Sequence, residues 1–248
     1  MSKAHIFIAT PMYGGMCTGY FTQSLLTAAG VLRQHDYDMS FSCMFNESLI
    51  QRGRNALAHG FMQKPEATHL MFIDADIRFN PADIVKMVEA DVDVICGMYP
   101  KKEINWSGVE QAVKDGVPTD QLKTRTGSLV VNLVDYKGSA TVPADKPVEI
   151  WNGGTGFMLI KREVLTKLST LMPNYVNDVT FLDGTIKQDR IVEYFACGIE
   201  PGTERLLSED YYFCIKCREF GIKVYAAPWA VLGHFGTYLF EGGLLPAP

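Results

Sequence analysis

Apolar residues in the first part of the chain follow two alternating periods, which predicts strands and helices in turn. The run HIFIA at 5–9 is short and apolar, as in a buried strand. Thr18 is a typical helix cap, and the apolar residues after it fall at helical spacing. They are Phe21, Leu25, Ala28 and Leu32. A period of two then predicts a half-buried strand. The alternating apolar residues are Met39, Phe41, Cys43 and Phe45.

The same order continues to about residue 97. A helix is expected from about Ser48 to Met62, followed by a strand at 69–73. Asn80 and Pro81 are cap and first-turn residues for a further helix, and a strand at 92–96 ends at Gly97. Strands separated by helices of this length require crossover connections, which indicates a mainly parallel sheet.

The pattern changes in the second half. Residues 100–127 are polar and contain Gly and Pro, which predicts a long excursion over the surface. The other predicted elements are strands at 128–134 and 148–152, a glycine-rich turn leading into a strand and a helix at 153–165, a helix from Ser208 to about Phe220, and a strand at 223–228. We therefore expect an α/β fold with a mostly parallel central sheet flanked by helices, and a mixed second half.

Composition narrows the possible classes of protein. The 248 residues are 47% hydrophobic and 11% aromatic, which is enough for the packed core of one α/β domain. The net charge is -5 without a basic block, which disfavours an extended nucleic-acid surface but leaves a local patch open. Neither a membrane-length apolar run nor the features of a signal peptide are visible. We therefore expect a cytoplasmic protein without stable membrane insertion.

The six cysteines are expected to be reduced core residues, because they are scattered in hydrophobic contexts. Cys214 and Cys217 form a CxxC pair, but the spacing is also that of one buried helix face. The core interpretation is favoured over a metal or redox pair.

Asp74 and Asp76 follow the buried strand HLMFI directly. Residues two apart in an extended segment point to the same side, so these carboxylates converge. They also lie at the carboxyl ends of the strands, where open α/β sheets bind ligands. Two close carboxylates repel, and a divalent cation such as Mg²⁺ or Mn²⁺ removes that penalty. Alternatively, Asp74 caps a turn and Asp76 is solvated.

Two acids begin the helix after Ser208. Asp210 lies three residues before Phe213 and extends the apolar stripe of that helix, whereas Glu209 lies nearer the rim. Acids in a first helical turn often serve only as caps. An inward acid, however, is either paired or held as a base.

Two further segments are candidates for binding. His234 lies between glycines after a strand, which suits a closely approached ligand, although a structural role is the common alternative. The segment WNGGTGF at 151–157 is a glycine-rich turn whose N–H groups can face an anion or a sugar. Its spacing does not fit a dinucleotide or P-loop motif.

Together these segments resemble the family-2-like glycosyltransferases of the GT-A fold. Each segment is short, and their order and spacing make the resemblance specific. They are ATPMYGG (9–15), SLIQRGRNALA (48–58), FIDADI (72–77), WNGGTGFMLI (151–160), SEDYYFCIKCREFG (208–221) and GHFG (233–236). The RxRN arrangement also resembles short viral and phage-type relatives and, less closely, fungal mannosyltransferases. Residues 100–147 lie outside the resemblance.

The resemblance implies a role for each segment. In the DxD motif Asp76 would bind the metal, with Asp74 near the ribose or the waters of the metal. His234 would complete the metal site, and Asp210 of the xED motif would be the general base, with Glu209 beside it as the second catalytic candidate. The nucleotide cleft would be lined by Thr10, Pro11 and Tyr13. The loop near the donor and acceptor sugars would contain Gly153, Gly154 and Thr155.

The helix at 48–62 adds candidates of its own. Arg52 and Asn55 share a helix face with His59 and are candidates for binding the base or phosphate of the nucleotide, whereas Arg54 pairs structurally or flanks the cleft. A solvated helix face is the alternative for both arginines. Lys101, Lys102 and Trp106 line the acceptor site or belong to a surface loop.

The resulting hypothesis is a metal-dependent hexosyl- or pentosyltransferase that uses a nucleotide-diphosphate sugar with Mn²⁺ or Mg²⁺ and inverts the anomeric configuration. One domain, 1–248, would have a nucleotide-binding half at 1–100 and an acceptor and catalytic half at 101–248. The alternatives are a non-catalytic nucleotide-sugar or glycan-binding domain and a nucleotidyltransferase on a related fold. The acceptor stays open among a glycan, a protein, a lipid and a modified DNA base.

Overall fold

The computed structural model describes residues 3–129, 131–134, 141–180, 186–236 and 239–242; side chains are excluded at 179–180, 186–187 and 239–242. Within these ranges the strands are β1 (His5–Met12), β2 (Asp38–Phe45), β3 (His69–Ile73), β4 (Ile77–Arg78), β5 (Val94–Cys96), β6 (Val148–Ile150), β7 (Phe157–Lys161), β8 (Asn174–Thr180), β9 (Ile186–Val192), β10 (Gly198–Ile199), β11 (Leu206–Leu207), β12 (Val224–Ala226), β13 (Leu232–Phe235) and β14 (Leu239–Gly242).

The described helices lie mostly in the first half. They are α1 (Gly19–Gln34), α2 (Ile50–Met62), α3 (Pro81–Glu89), α4 (Trp106–Lys114), α5 (Arg162–Ser169) and α6 (Glu209–Glu219), with 3₁₀ turns at Tyr13–Gly15 and Thr119–Arg125. None of them is both long enough and apolar enough to cross a bilayer.

Two helix starts follow from local sequence. Thr18 Oγ accepts a hydrogen bond from Phe21 N at 3.1 Å, and Asn80 Oδ1 accepts one from Ala82 N at 3.1 Å, with Pro81 in the first turn of α3. These side chains satisfy N–H groups that have no partner within the helix. Ser208 stands at the cap position of α6, but its hydroxyl donates to Asp210 and does not accept from the backbone.

The α/β class with a mostly parallel central sheet is confirmed. In the described chain, seven strands form one sheet in the order β2-β1-β3-β7-β5-β12-β6. Five of these strands run in one direction, and β7 and β6 run against them. The antiparallel β7 lies between β3 and β5, so its first residues meet the carboxyl ends of both neighbours.

Both faces of the sheet are covered by helices, because alternate strand residues point to opposite sides. In β3, Leu70 and Phe72 pack with α2, α5 and α6, whereas Met71 and Ile73 pack with α1 and α3. Each of these side chains is fully buried, which is worth about 1.5–3 kcal/mol relative to exposure.

The structure departs from the sequence expectations at several places. Residues 128, 129 and 131–134 form only an isolated bridge, Leu133 to Ile150, and not a strand. The surface excursion at 100–127 contains α4 and a 3₁₀ turn. The hairpin of β8 and β9 was not predicted, because its many polar residues hide the strand period. Cys17 and Cys197 are exposed rather than in the core.

Candidate active site

A cleft of about 650 Å³ opens at the carboxyl ends of β1, β2, β3 and β5. Its described lining residues are Pro11, Tyr13, Met16, Cys17, Thr18, Glu47, Ser48, Ile50, Arg54, Asp74, Ala75, Asp76, Tyr99, Thr155, Glu209, Asp210 and Phe235. This is the edge where an open α/β sheet leaves room for ligands, because the strands end there and the connections diverge.

The pairing of β4 with β13 brings His234 to Asp76. His234 lies opposite Ile77 in this antiparallel pair, and Phe235 N donates to Asp76 O at 2.8 Å. As a result, His234 Nε2 lies 3.6 Å from Asp76 Oδ1. Residues that are distant in the chain thus meet at the rim of the cleft.

The position of the proton on the His234 ring determines how the ring can interact with Asp76. Its Nδ1 lies 2.9 Å from the carbonyl oxygen of Pro100, and a carbonyl can only accept, so Nδ1 carries a proton. In the neutral ring Nε2 therefore faces the Asp76 carboxylate with a lone pair. Two acceptors at this distance are satisfied either by protonation of the ring or by a cation between them.

Asp76 is held as a carboxylate. Burial raises the pKa of this group, but the neighbouring His234 and Lys102 side chains outweigh burial and leave the pKa lowered. Lys102 Nζ bonds to Oδ2, the oxygen that His234 does not face. Both oxygens of Asp76 thus have positively charged or ionisable partners.

Asp74 has a different partner. Arg54 Nη2 donates to its two oxygens at 3.0 and 3.4 Å. The two acids do line the same cleft, but each is neutralised by its own basic side chain. The expectation that Asp74 helps to hold a metal is therefore not supported by the geometry, and among the described residues no group of three or more His, Cys, Asp or Glu side chains is placed around a common ion.

Arg54 connects the DxD acid to the first acid of α6. Its Nε donates to Glu209 Oε1 at 3.2 Å, and its side chain is only 3% exposed. Burial lowers the pKa of Arg54, but Asp74 and Glu209 outweigh burial and leave it raised, so the guanidinium stays charged. Its Nη1 is buried without a hydrogen-bond partner among the described residues.

The sequence contained a signal for Arg54. Positions 54, 57, 58 and 61 form one stripe of α2, and the other three residues, Leu57, Ala58 and Phe61, are buried in the core. An arginine on such a stripe is taken from water, so it requires acidic partners from other elements. The expectation for Arg54, to pair structurally or to flank the cleft, did not name these acidic partners.

Arg52 and Asn55 do not lie among the described lining of the cleft. Arg52 is 48% exposed and pairs with Glu47 at 2.5 Å, so it reaches the cleft only through that acid. The Asn55 amide is committed to the backbone of Phe195, with both the donor and the acceptor contact at 2.9 Å. Asn55 is therefore a buried clamp whose amide is directed to the Phe195 backbone and not to the cleft.

The residues at the end of β1 and just after it also differ in whether they line the cleft. Pro11 and Tyr13 line the cleft. Thr10 is fully buried and lies outside the described lining, and its hydroxyl has no partner in the described part of the chain. The geometry thus corrects the expectation for Thr10 and is compatible with that for Pro11 and Tyr13.

A second cavity of about 400 Å³ adjoins the cleft. Its described lining residues are Gly97, Met98, Tyr99, Pro100, Lys101, Lys102, Asn152, Gly153, Gly154, Asp210, Tyr211 and His234. Tyr99 and Asp210 line both spaces, so they form part of the wall between them. Trp106, in contrast, is 70% exposed on α4 and lies outside both described linings.

The glycines of the 153–156 turn are required by close packing. A Cβ on Gly153 would lie 2.5 Å from Cys96 Sγ, and one on Gly154 would lie 2.3 Å from Tyr99 Oη. Tyr99 Oη accepts a hydrogen bond from Gly156 N at 3.2 Å, which fixes the turn against the wall. Thr155 is buried but lines the cleft.

Asp210 is the acid placed to serve both spaces. Its Oδ1 accepts hydrogen bonds from Ser208 Oγ and from Tyr211 N, the latter at 2.8 Å. Glu209 lines only the cleft in the described set and is bound to Arg54. Glu209 therefore belongs to the ion pair with Arg54, whereas Asp210 faces both the cleft and the second cavity.

Comparison with known proteins identifies the fold only. No protein-family model and no curated protein matches the chain. The crystal structure of A197 from STIV is similar over 99% of this chain and 97% of its own, with a TM-score of 0.52 and 16% identity. At this identity the similarity shows a shared fold.

Two glycosyltransferase structures are also similar, at scores too low to support an argument about this chain. One is a glycosyltransferase involved in the glycosylation of the major capsid of PBCV-1, with a TM-score of 0.31, 10% identity, and coverage of 65% of this chain and 62% of its own. The other is S. aureus TarS 1–349, with a TM-score of 0.38, 11% identity, and coverage of 89% and 57%.

Proposed function

We propose that the protein is a glycosyltransferase that moves a sugar from a nucleotide-diphosphate sugar to an acceptor hydroxyl. The observation that carries this proposal is the position of Asp210 in the wall between two spaces, beside which Asp76 of the cleft faces His234 of the second cavity. The donor occupies the cleft and the acceptor occupies the second cavity. The order of the sequence motifs supports the same assignment.

A divalent cation, Mn²⁺ or Mg²⁺, fits the residues at Asp76. A carboxylate oxygen and an imidazole lone pair face each other there. The carboxylate suits both ions, whereas the imidazole nitrogen favours the transition metal Mn²⁺ over Mg²⁺. Asp76 and His234 would hold the ion, and substrate phosphates and water commonly complete such sites. When bound, the ion supplies positive charge that stabilises the departing diphosphate.

Asp210 acts as the general base. The acceptor hydroxyl gives its proton to an Asp210 oxygen while its own oxygen forms a bond to the anomeric carbon. The bond from that carbon to the phosphate oxygen breaks, and its electron pair leaves with the nucleoside diphosphate. Because the acceptor approaches from the side opposite the leaving group, the configuration inverts.

Asp210 is a better base than Glu209 for a geometric reason. The Glu209 side chain is 13% exposed, and its carboxylate forms an ion pair with the buried Arg54 guanidinium. Moving a proton onto it would leave Arg54 with one carboxylate fewer in a buried position. Asp210 carries no basic partner among its described contacts and faces the second cavity.

Arg54 and Asp74 orient the donor side. Arg54 fixes the Asp74 carboxylate at the end of β3, and the cleft-facing lone pairs of that carboxylate can accept hydrogen bonds from ribose hydroxyls. Because Arg54 also holds Glu209, the same guanidinium sets the distance between the donor side and the start of α6.

A panel of nucleotide sugars, each with and without Mn²⁺, tests the proposal. A donor that binds the folded protein raises its melting temperature by mass action, and we expect this only with metal for the correct donor. The same panel is then assayed for release of nucleoside diphosphate. Binding without release under any acceptor would indicate a non-catalytic domain, and pyrophosphate release from a nucleoside triphosphate would indicate a nucleotidyltransferase.

A further inference from the structure

Lys102 joins the two spaces of the site. Its side chain lines the second cavity, whereas its ammonium bonds to Oδ2 of Asp76, which lines the cleft. The side chain is 40% exposed, so solvent reaches it from the side of the second cavity. The ion pair therefore crosses the wall between cleft and cavity.

Hydrogen bonds hold the backbone around Lys102 in place, whereas the side chain is held through its ion pair with Asp76. His234 Nδ1 donates to the Pro100 carbonyl, Lys101 N donates to Ser128 O at 3.0 Å, and Asn105 N donates to Thr126 O. Lysine has a flexible four-carbon stem and a compact charge. A rotation of that stem moves the ammonium without any change in the backbone.

The same carboxylate is the expected site of the divalent cation. Asp76 receives His234 on Oδ1 and Lys102 on Oδ2, so an ammonium already neutralises it. A divalent cation bound at Asp76 would repel an ammonium on the neighbouring oxygen, because like charges a few ångströms apart are destabilising in a partly buried site. Lys102 and the metal therefore compete for one acid.

We propose that Lys102 is an internal cation that occupies Asp76 in the metal-free protein and turns into the second cavity when a divalent cation binds. The proposal rests on the proposed function only for the identity of the ion. It makes Lys102 a determinant of metal affinity, and it places an additional positive charge beside Lys101 once the metal is bound.

Substitution of Lys102 by Gln tests the competition directly. The Mn²⁺ dissociation constant is measured by electron paramagnetic resonance on the full chain without nucleotide. We expect K102Q to bind Mn²⁺ about two- to fivefold more tightly than the parent, because the competing ion pair is gone. The matched control is K101Q, since Lys101 lies next in the chain and pairs with the exposed Glu103 at 3.9 Å; its Mn²⁺ affinity should equal that of the parent.

The outcomes separate this proposal from the proposed function. Equal or weaker Mn²⁺ binding by K102Q overturns the competition, even if the parent transfers sugar with Mn²⁺. Tighter Mn²⁺ binding by K102Q supports it, even if no donor is ever found. If neither protein binds Mn²⁺, the competition is overturned as well. A melting temperature within about 2 °C of the parent would show that K102Q is folded, as expected for a half-exposed side chain.

A second readout follows the ammonium itself. A lysine that leaves an ion pair becomes a better target for amine-reactive reagents. Labelling followed by peptide mass spectrometry should show faster modification of Lys102 when Mn²⁺ is added, with no change at Lys101. Unchanged or slower labelling of Lys102 under saturating Mn²⁺ would overturn the proposed rotation.

Discussion

His234 Nε2 lies 3.6 Å from Asp76 Oδ1 because the short strands β4 and β13 pair beside the main sheet. This pairing sets His234 opposite Ile77, the residue that follows Asp76. The contact joins Asp76, which lines the cleft, to His234, which lines the second cavity, and it creates a pair of facing acceptors. It is the relationship on which the proposed metal site depends.

Removal of either member of this pair should weaken the binding of Mn²⁺. We expect D76N and H234A each to weaken Mn²⁺ binding by at least about tenfold, because loss of even an outer partner of a metal ligand costs that much. Calorimetric titration with Mn²⁺ measures the change. The exposed His35 provides the control variant H35A, which should bind Mn²⁺ like the parent; a similar loss there, or none at His234, would contradict the assignment.

Asp210 and Glu209 should respond differently to loss of charge. D210N is expected to lower the turnover number by about 10²–10⁴ with little effect on donor affinity, because a general base acts only in the chemical step. E209Q keeps a hydrogen-bond acceptor for Arg54 and should have a smaller effect on turnover. Single-turnover rates and donor titrations of both variants measure these effects. Equal losses of turnover would contradict the assignment of Asp210 as the general base.

Arg54 and Arg52 should differ in their contribution to stability. Arg54 is buried between Asp74 and Glu209, so R54M leaves two acids without their partner and should cost about 3–5 kcal/mol. Arg52 forms a half-exposed pair with Glu47, so R52Q should cost less than about 1 kcal/mol. Urea unfolding measures both free energies of unfolding. Equal values would show that the buried pair does not contribute as proposed.

Asp83 should make stability depend on pH. Burial in the first turn of α3 raises the pKa of this group from 3.8 to about 6, with Lys86 acting in the opposite direction. The folded state therefore binds more protons than the unfolded state between about pH 4 and pH 6, so the contribution of Asp83 to stability falls as the pH rises through this window.

The substitution D83N isolates this effect. The free-energy difference between D83N and the parent should shift in favour of the variant by about 2–3 kcal/mol between pH 4 and pH 7.5, because only the parent acquires a buried charge. Urea unfolding at the two pH values measures it. A difference that does not vary with pH would show that Asp83 has an ordinary pKa in the folded protein.

The strand and helix periods of the first hundred residues were predictable because they depend on neighbouring residues. Thr18 and Asn80 cap helices through contacts two or three residues away, and alternation in β3 directs Phe72 and Met71 to opposite faces. The hairpin of β8 and β9 was not predictable in this way. Its stability depends on packing against α2, which the local pattern does not contain.

The candidate site was predictable to the extent that it follows strand ends. Asp74 and Asp76 lie where a buried strand ends, and the carboxyl ends of parallel strands meet at one edge. The partners of these acids were not predictable. Arg54 was expected to pair structurally or to flank the cleft, but helical spacing does not identify Asp74 and Glu209 as its partners, because they belong to other elements. Asn55 was expected to bind the nucleotide, but its amide is bound to the backbone of Phe195.

The sequence by itself determined the order of strands and helices in the first hundred residues, the capping of α1 and α3, and the position of the acids at the end of β3, since all of these depend on residues close in the chain. Only the tertiary structure decided which cation each acid receives. Arg54 reaches Asp74 and Glu209, and Lys102 and His234 reach Asp76, through contacts between elements that are far apart in sequence. The physical reason is that charge pairing acts through space, whereas periodicity and capping act along the chain.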